Sequence, residues 1–281
     1  MICHRIRRTP YGVKDLPVSN AELCECAIDL ARQGGRLAVQ RLGEATASLK
    51  ADRSWVTDVD HAVQALILGA LAERFPDHAV VAEETLAEPD RHADARTATY
   101  CWVIDPIDGT RNYVRGFPVF STSVGVLCEG EPVAGVVYDP LTDRVYSATR
   151  GGGAYLNGKP IVVREEGQQF DTMVGVPSDR RKPIPAAVSA WRKTMVLRCM
   201  GSSALNLAMV AAGCLDAAYA QETRIWDVAA GALLVHEAGG VLTDLKGRPV
   251  FPFDAATYDG SETPFLAAGA KLHRELITSF A

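Results

Sequence analysis

Asp105-Pro106-Ile107-Asp108-Gly109-Thr110 packs two carboxylates, a proline, a glycine and a hydroxyl into six residues. The apolar run before it, Tyr100 to Ile104, predicts a short buried strand. Pro106 biases Asp105 toward an extended backbone, which puts the first carboxylate at the strand's end. Gly109 tolerates angles that other residues avoid, so the chain can turn sharply past Asp108. An Asp-Gly pair alone signals only a turn. Two acids flanking Pro-Ile at a strand end, with a threonine next, point to chemistry.

Other acids stand far away in the chain. Ala79-Val80-Val81-Ala82 predicts another short strand, which delivers Glu83-Glu84 at its end. Ile225-Trp226-Asp227-Val228-Ala229-Ala230-Gly231 opens a helical pattern with Asp227 in its first turn, where a carboxylate interacts favourably with the helix dipole. Taken singly, Glu83 reads as a solvated acid and Asp227 as a cap. Thr57-Asp58-Val59-Asp60 enters a helix whose apolar stripe is Val59, Val63, Leu66, Ile67, Ala70 and Leu71, so Asp60 by itself is also a capping acid.

In combination, Ala82-Glu83-Glu84, the hexamer at 105–110 and Trp226-Asp227-Val228-Ala229-Ala230-Gly231 make the chain resemble the inositol monophosphatase family of metal-dependent phosphatases. The resemblance spans about Ser19 to the C-terminus. It implies an α+β fold, a layered αβαβα sandwich with the active site where its two halves meet. It implies that Glu83, Asp105 and the Ile107 carbonyl hold one Mg²⁺ and that Asp105, Asp108 and Asp227 hold a second, with two or three ions in all. Thr110 would orient the attacking water with Asp60 as its partner, and Glu83 would share in activating that water. Asp108 and the backbone N–H groups of Gly109 and Thr110 would meet the phosphate, and Gly201, Ser202 and Ser203 would border the substrate. Ser202 reads equally as a helix cap. Lithium sensitivity and a homodimer also come with the resemblance.

The chemistry agrees with such a site. Hydrolysing a phosphate ester needs a nucleophilic water, and a bound divalent cation brings the pKa of water down from about 15.7 toward neutrality. Oxygen-only donors favour Mg²⁺ over zinc, which calls for histidine or cysteine. Glu83, Asp105, Asp108 and Asp227 supply oxygens, and cations resolve their mutual repulsion.

The substrate is less legible, because fold and metal site do not select it. An ester resembling inositol 1-phosphate leads. A 3′(2′),5′-bisphosphate nucleotide and histidinol phosphate are alternatives, and a regulatory phosphate-ester-binding protein is the non-enzymatic one. One departure matters: where inositol phosphatases carry a substrate-contacting glutamate seven residues before the aspartate of the Trp-Asp motif, this chain has Ala220. Glu222 lies nearby without being an assured replacement. Arg224 could meet a second anionic group or be merely exposed. Lys50, which matches a loop lysine of the family, reads as solvated surface.

The 281 residues are 48% hydrophobic, enough for a large core, and the net charge of −5 offers no footprint for nucleic acid. No apolar run is long enough for a membrane span and no signal-peptide core opens the chain, so the cytoplasm is expected. Seven cysteines, at 3, 24, 26, 101, 128, 199 and 214, form no paired knuckles, which predicts reduced thiols. Residues 1–18 read as a flexible leader, 19–165 as an N-terminal α+β subdomain and 166–281 as a C-terminal α/β subdomain. Ser19-Asn20-Ala21-Glu22 is a capping box opening a helix to about Leu42, and Lys50 to Trp55 reads as a polar loop. Strands at Phe120–Leu127, Val133–Tyr138 and Val145–Ala148 predict a meander. Gly151-Gly152-Gly153 lacks the Gly-Lys-Ser/Thr of a phosphate loop, and His236-Glu237 lacks the second histidine of a zinc site.

Overall fold

The computed structural model describes residues 18–85, 94–178 and 182–280. All of the leader expected at 1–18 except Val18 lies outside them. In chain order the elements begin with α1 (Asn20–Gln40), β1 (Ala47–Leu49), β2 (Trp55–Thr57), α2 (Asp58–Arg74), β3 (Ala79–Ala82), β4 (Tyr100–Asp108) and α3 (Thr110–Val114). Then come β5 (Ser121–Cys128), β6 (Glu131–Asp139), β7 (Arg144–Thr149), β8 (Gly153–Leu156) and β9 (Lys159–Ile161). The last third holds β10 (Met173–Gly175), α4 (Ala186–Trp191), β11 (Val196–Arg198), α5 (Ser203–Ala211), β12 (Ala217–Ala220), α6 (Ile225–Glu237), β13 (Gly240–Thr243), β14 (Phe265–Gly269) and α7 (Ala270–Ile277).

Strands β3 to β9 form one sheet in sequence order, antiparallel except for the parallel pair β3–β4. The second sheet has the order β11-β10-β12-β14-β13, with β10 parallel to both its neighbours. Helices α1 and α2 bury Leu23, Leu30, Val63 and Ile67 against Trp102, Ile104, Val124 and Val136 on one face of the large sheet. Helices α5 and α6 fill the space between the sheets, with Leu207, Val228 and Leu234 packed on Val137, Ala218 and Phe265. Trp191 of α4 and Leu272 of α7 cover the outer face of the small sheet over Val174 and Tyr219. The layers are therefore αβαβα, as the family resemblance implied.

Two local readings change. The polar loop expected at 50–55 is the turn of a hairpin, in which Ala47 to Leu49 pair with Trp55 to Thr57. Strand β4 does not stop at Asp105 but runs to Asp108, with a register shift between these two residues. That irregularity accommodates Pro106, which has no N–H to give a ladder. Cys128 is disulfide-bonded, against the expectation of reduced thiols, while Cys24, Cys26, Cys101, Cys199 and Cys214 are free.

Helix α6 lies unusually close to the large sheet. A Cβ on Gly135 would stand 2.8 Å from the Ala230 carbonyl oxygen, and one on Gly125 would stand 3.0 Å from the Ala229 methyl. A Cβ on Gly231 would come within 2.5 Å of Leu207 in α5. The small residues after Asp227 thus set how deeply α6 sits. Replacing Gly135 by alanine is expected to push the helix outward and to cost about 1–3 kcal/mol, read as a lowered denaturation midpoint with an unchanged denaturant slope.

Candidate metal centre and active site

Four elements deliver carboxylates to one cleft. β4 carries Asp105 and Asp108, α6 brings Asp227 on its first turn, a 3₁₀ turn at Glu83–Thr85 after β3 brings Glu83, and α2 brings Asp60. Single oxygens of Asp105, Asp108 and Asp227 all lie within 4.8 Å of one another. Asp105 and Asp227 stand close enough to repel each other when both are charged. Glu83 stands outside that triad but lines the same cavity as Asp108 and Asp227.

Each acid is held by local backbone. Asp105 Oδ1 accepts from the Ile107 N–H at 3.0 Å. Asp108 sits at the N-terminus of α5, where its oxygens accept from the Ala204 N–H at 2.8 Å, the Ser203 N–H at 3.2 Å and the Ser202 hydroxyl. Asp227 Oδ2 accepts from the Arg224 N–H at 2.6 Å and so caps its own helix. Asp60 divides its oxygens: Oδ2 accepts from the Thr57 N–H at 2.8 Å and from the Thr57 hydroxyl, completing the capping box of α2, while Oδ1 faces the Thr110 hydroxyl at 3.4 Å. The same hydroxyl donates to the Ile107 carbonyl oxygen at 3.0 Å.

Burial dominates the electrostatics. It raises Asp105 well above the usual carboxylate range, with Glu83, Asp108 and Asp227 adding repulsion. Burial, then Asp108 and Glu83, push Asp227 to about 8. Burial lifts Asp108 to about 6 against the pull of its Ser202, Ala204 and Ser203 donors. Asp60 also reaches about 6 through burial, opposed by Thr57.

Lys50 is not solvated surface. Its ammonium lies 2.8 Å from Glu83 Oε1 and 2.7 Å from Glu84 Oε1. Burial alone would lower its pKa, but the two glutamates outweigh that and raise it. The resemblance pointed here by matching Lys50 to a loop lysine near the family's metals, but the chain alone did not, since the lysine lies 33 residues before Glu83 on a separate hairpin.

The cavity beside the carboxylates measures about 190 Å³. Ser54, Trp55, Glu83, Gly109, Thr110 and Arg111 line it from the large-sheet side. Pro177, Ser178, Ala220, Glu222 and Thr223, which follow or end β10 and β12, line it from the other. Gly201, Ser202 and Ser203 belong to the lining as expected, but Ser202 is 1% exposed and spends its hydroxyl on Asp108 and on capping Leu205. Asn112, missed in the sequence, ties α3 to this segment by donating to the Met200 carbonyl at 2.7 Å. Arg224 is not among the lining residues; its guanidinium lies 3.8 Å from Glu262. The glycines at 151–153 hold the chain's own carboxylate, with the Gly151 and Gly153 N–H groups each 2.9 Å from Glu237.

The sequence profile of the inositol monophosphatase family matches residues 19–280. The chain belongs to that family. It is 42% identical over 200 residues to Inositol monophosphatase 2 of Solanum lycopersicum, covering 68% of this chain and 75% of that protein. It is 34% identical to Nus factor SuhB of Pasteurella multocida, covering 79% and 84% of the two chains. Among solved structures, the Thermotoga maritima IMPase superposes with a TM-score of 0.77 at 29% identity, covering 91% of this chain and 95% of that one. Membership makes the protein a phosphatase, a hydrolase of phosphate monoesters. No helix among the described residues is long and apolar enough to cross a membrane.

In this family member the carboxylates fit a hard divalent cation, because every donor is oxygen and the cluster carries more negative charge than its hydrogen bonds compensate. The raised pKa values mean that the metal-free folded state binds protons more tightly than the unfolded chain does. Stability from these groups is therefore full below the ordinary carboxylate range and is lost as pH rises from about 4 to about 8. Thermal melts in EDTA are expected to show that loss, and added Mg²⁺ is expected to stabilise more at the upper end of the range than at the lower. Asp105→Asn, which removes one carboxylate, is expected to reduce both the loss and the gain.

Proposed function

We propose that the protein is a Mg²⁺-dependent phosphomonoesterase acting on a small phosphorylated metabolite, with an ester resembling inositol 1-phosphate as its substrate. The observation that carries this reading is the convergence of Asp105, Asp108 and Asp227 within 4.8 Å beside a cavity that also contains Thr110 and Glu83. Glu83, Asp105 and the Ile107 carbonyl would hold one Mg²⁺, and Asp105, Asp108 and Asp227 another. Bound there, the ions would acidify water and neutralise charge on the phosphoryl oxygens.

The chain's own residues supply the rest. Thr110 aligns the attacking water through its hydroxyl, which stands between Asp60 Oδ1 and the Ile107 carbonyl. Asp60 is 0% exposed and fixed by Thr57, so it accepts a proton from that hydroxyl chain without turning away. Glu83 shares in accepting protons from the water. The backbone N–H groups of Gly109 and Thr110 meet the phosphate, and φ of +97° at Gly109 makes the turn that a side chain would strain. The reading includes inhibition by lithium and a cytoplasmic homodimer with an N-terminal metal-site subdomain at 19–165 and a C-terminal one at 166–281.

A second reading, a regulatory role beside or instead of catalysis, is favoured by the likeness to Nus factor SuhB. Release of inorganic phosphate separates the two. The purified protein is expected to hydrolyse inositol 1-phosphate with Mg²⁺ and not with EDTA. Asp105→Asn is expected to abolish turnover while the circular dichroism stays native, and Thr110→Ala to lower kcat by about 10²–10⁴-fold. Silence of the wild-type protein on inositol phosphates, histidinol phosphate, adenosine bisphosphates and sugar bisphosphates would favour the regulatory role.

A further inference from the structure

Helix α3 carries arginines at 111 and 115, the second as its C-cap with helical backbone angles (φ −89°, ψ −3°). Residues four apart on a helix stand on one face, and like charges there repel each other. Both side chains are exposed, and neither guanidinium makes an ion pair or hydrogen bond with another described residue. Arg41, Arg150, Arg164, Arg224 and Arg248, by contrast, each pair with a carboxylate. Arg111 also lines the catalytic cavity, where the other charged lining residues, Glu83, Asp108, Glu222 and Asp227, are all acids.

The backbone that carries Arg111 is fixed on both sides. Thr110 turns its hydroxyl inward to Asp60 Oδ1 and the Ile107 carbonyl. Asn112 donates to the Val119 carbonyl at 2.8 Å and to the Met200 carbonyl at 2.7 Å, and the Tyr113 hydroxyl donates to the Ala38 carbonyl at 2.8 Å. Successive helical side chains diverge by about 100°. With its neighbours turned into the protein, Arg111 stands at the cavity mouth on a backbone that needs no reordering when a ligand arrives.

The scissile phosphoryl group has other partners, the metal ions and the N–H groups of Gly109 and Thr110. A guanidinium at the rim is left for an anion carried elsewhere on the substrate. A phosphate or carboxylate accepts its paired N–H groups as a fork, which a neutral hydroxyl cannot match in charge or geometry. Arg224, singled out in the sequence for such an anion, is outside the lining and faces Glu262.

We infer that Arg111, with Arg115 behind it on the same face, is a specificity-determining residue that favours phosphate monoesters bearing a second negative charge. This assignment rests on the phosphatase reading of the same cavity.

The test is steady-state kinetics of the full-length protein at fixed free Mg²⁺ with two matched pairs of esters. Inositol 1,4-bisphosphate is compared with inositol 1-phosphate, and 2-phosphoglycerate with glycerol 2-phosphate. In Arg111→Gln, the ratio of kcat/KM for the doubly anionic ester to that for its partner is expected to fall by about tenfold, chiefly through KM. Arg111→Lys, which keeps the charge and loses the fork, is expected to recover part of it. A fall in the first pair alone assigns phosphate as the second anion, and a fall in the second pair alone assigns carboxylate. Added KCl is expected to lower the wild-type ratio more than that of Arg111→Gln, since the contact is exposed. If Arg111 serves only the fold or the scissile phosphoryl group, both members of each pair slow together, and an unchanged ratio in Arg111→Gln overturns the inference. Turnover of the monophosphates by the wild type then leaves the phosphatase reading standing, whereas wild-type silence on all four esters removes both.

Discussion

Repulsion among buried carboxylates is the constraint around which the rest of the structure is arranged. Asp105 and Asp108 are 1% and 7% exposed, and Asp227 brings a third charge into the same few ångströms. Water cannot screen charges placed like this, and proximity to Glu83 adds to the load. Every neighbouring element responds. The N-terminus of α5 turns its N–H groups on Asp108, the first turn of α6 holds Asp227, and Lys50 neutralises Glu83 together with Glu84. These donors compensate only part of the charge, which leaves the cluster with an affinity for a divalent cation or for protons.

Packing enforces the arrangement at a distance. Gly125 and Gly135 of the large sheet let the backbone of α6 settle at Ala229 and Ala230, and Gly231 lets α5 pack on its far side. The stretch after Asp227 is therefore small for a mechanical reason. A bulkier residue would lift the helix and carry Asp227 away from β4. The fold stabilises this close contact between layers, and the contact holds three repelling acids together.

Capping and function are not competing explanations at these sites. Asp60 caps α2 with one oxygen and faces Thr110 with the other. Ser202 caps α5 and also fixes Asp108. Asp227 caps α6 while its carboxylate enters the triad. A cap is rigid, because its partners are backbone groups of the element it terminates. Residues that must hold a metal ion or a water within tenths of an ångström benefit from that rigidity.

Much was legible in the chain because the determinants are local. Proline and glycine around Asp108, the entry signals at Ser19 and Thr57 and the apolar period of α2 fix strands, turns and helix starts by short-range sterics and hydrogen bonding. The layered architecture and the metal cluster came only through the family resemblance that the three acidic motifs carry. What the tertiary structure alone decided joins residues remote in sequence: Lys50 with Glu83, Ser202 with Asp108, Asn112 with Met200, and Asn206 with the wall that holds Glu222. Such pairings follow from how sheets and helices stack, and stacking depends on the summed burial of many apolar side chains. No short stretch of sequence holds that sum.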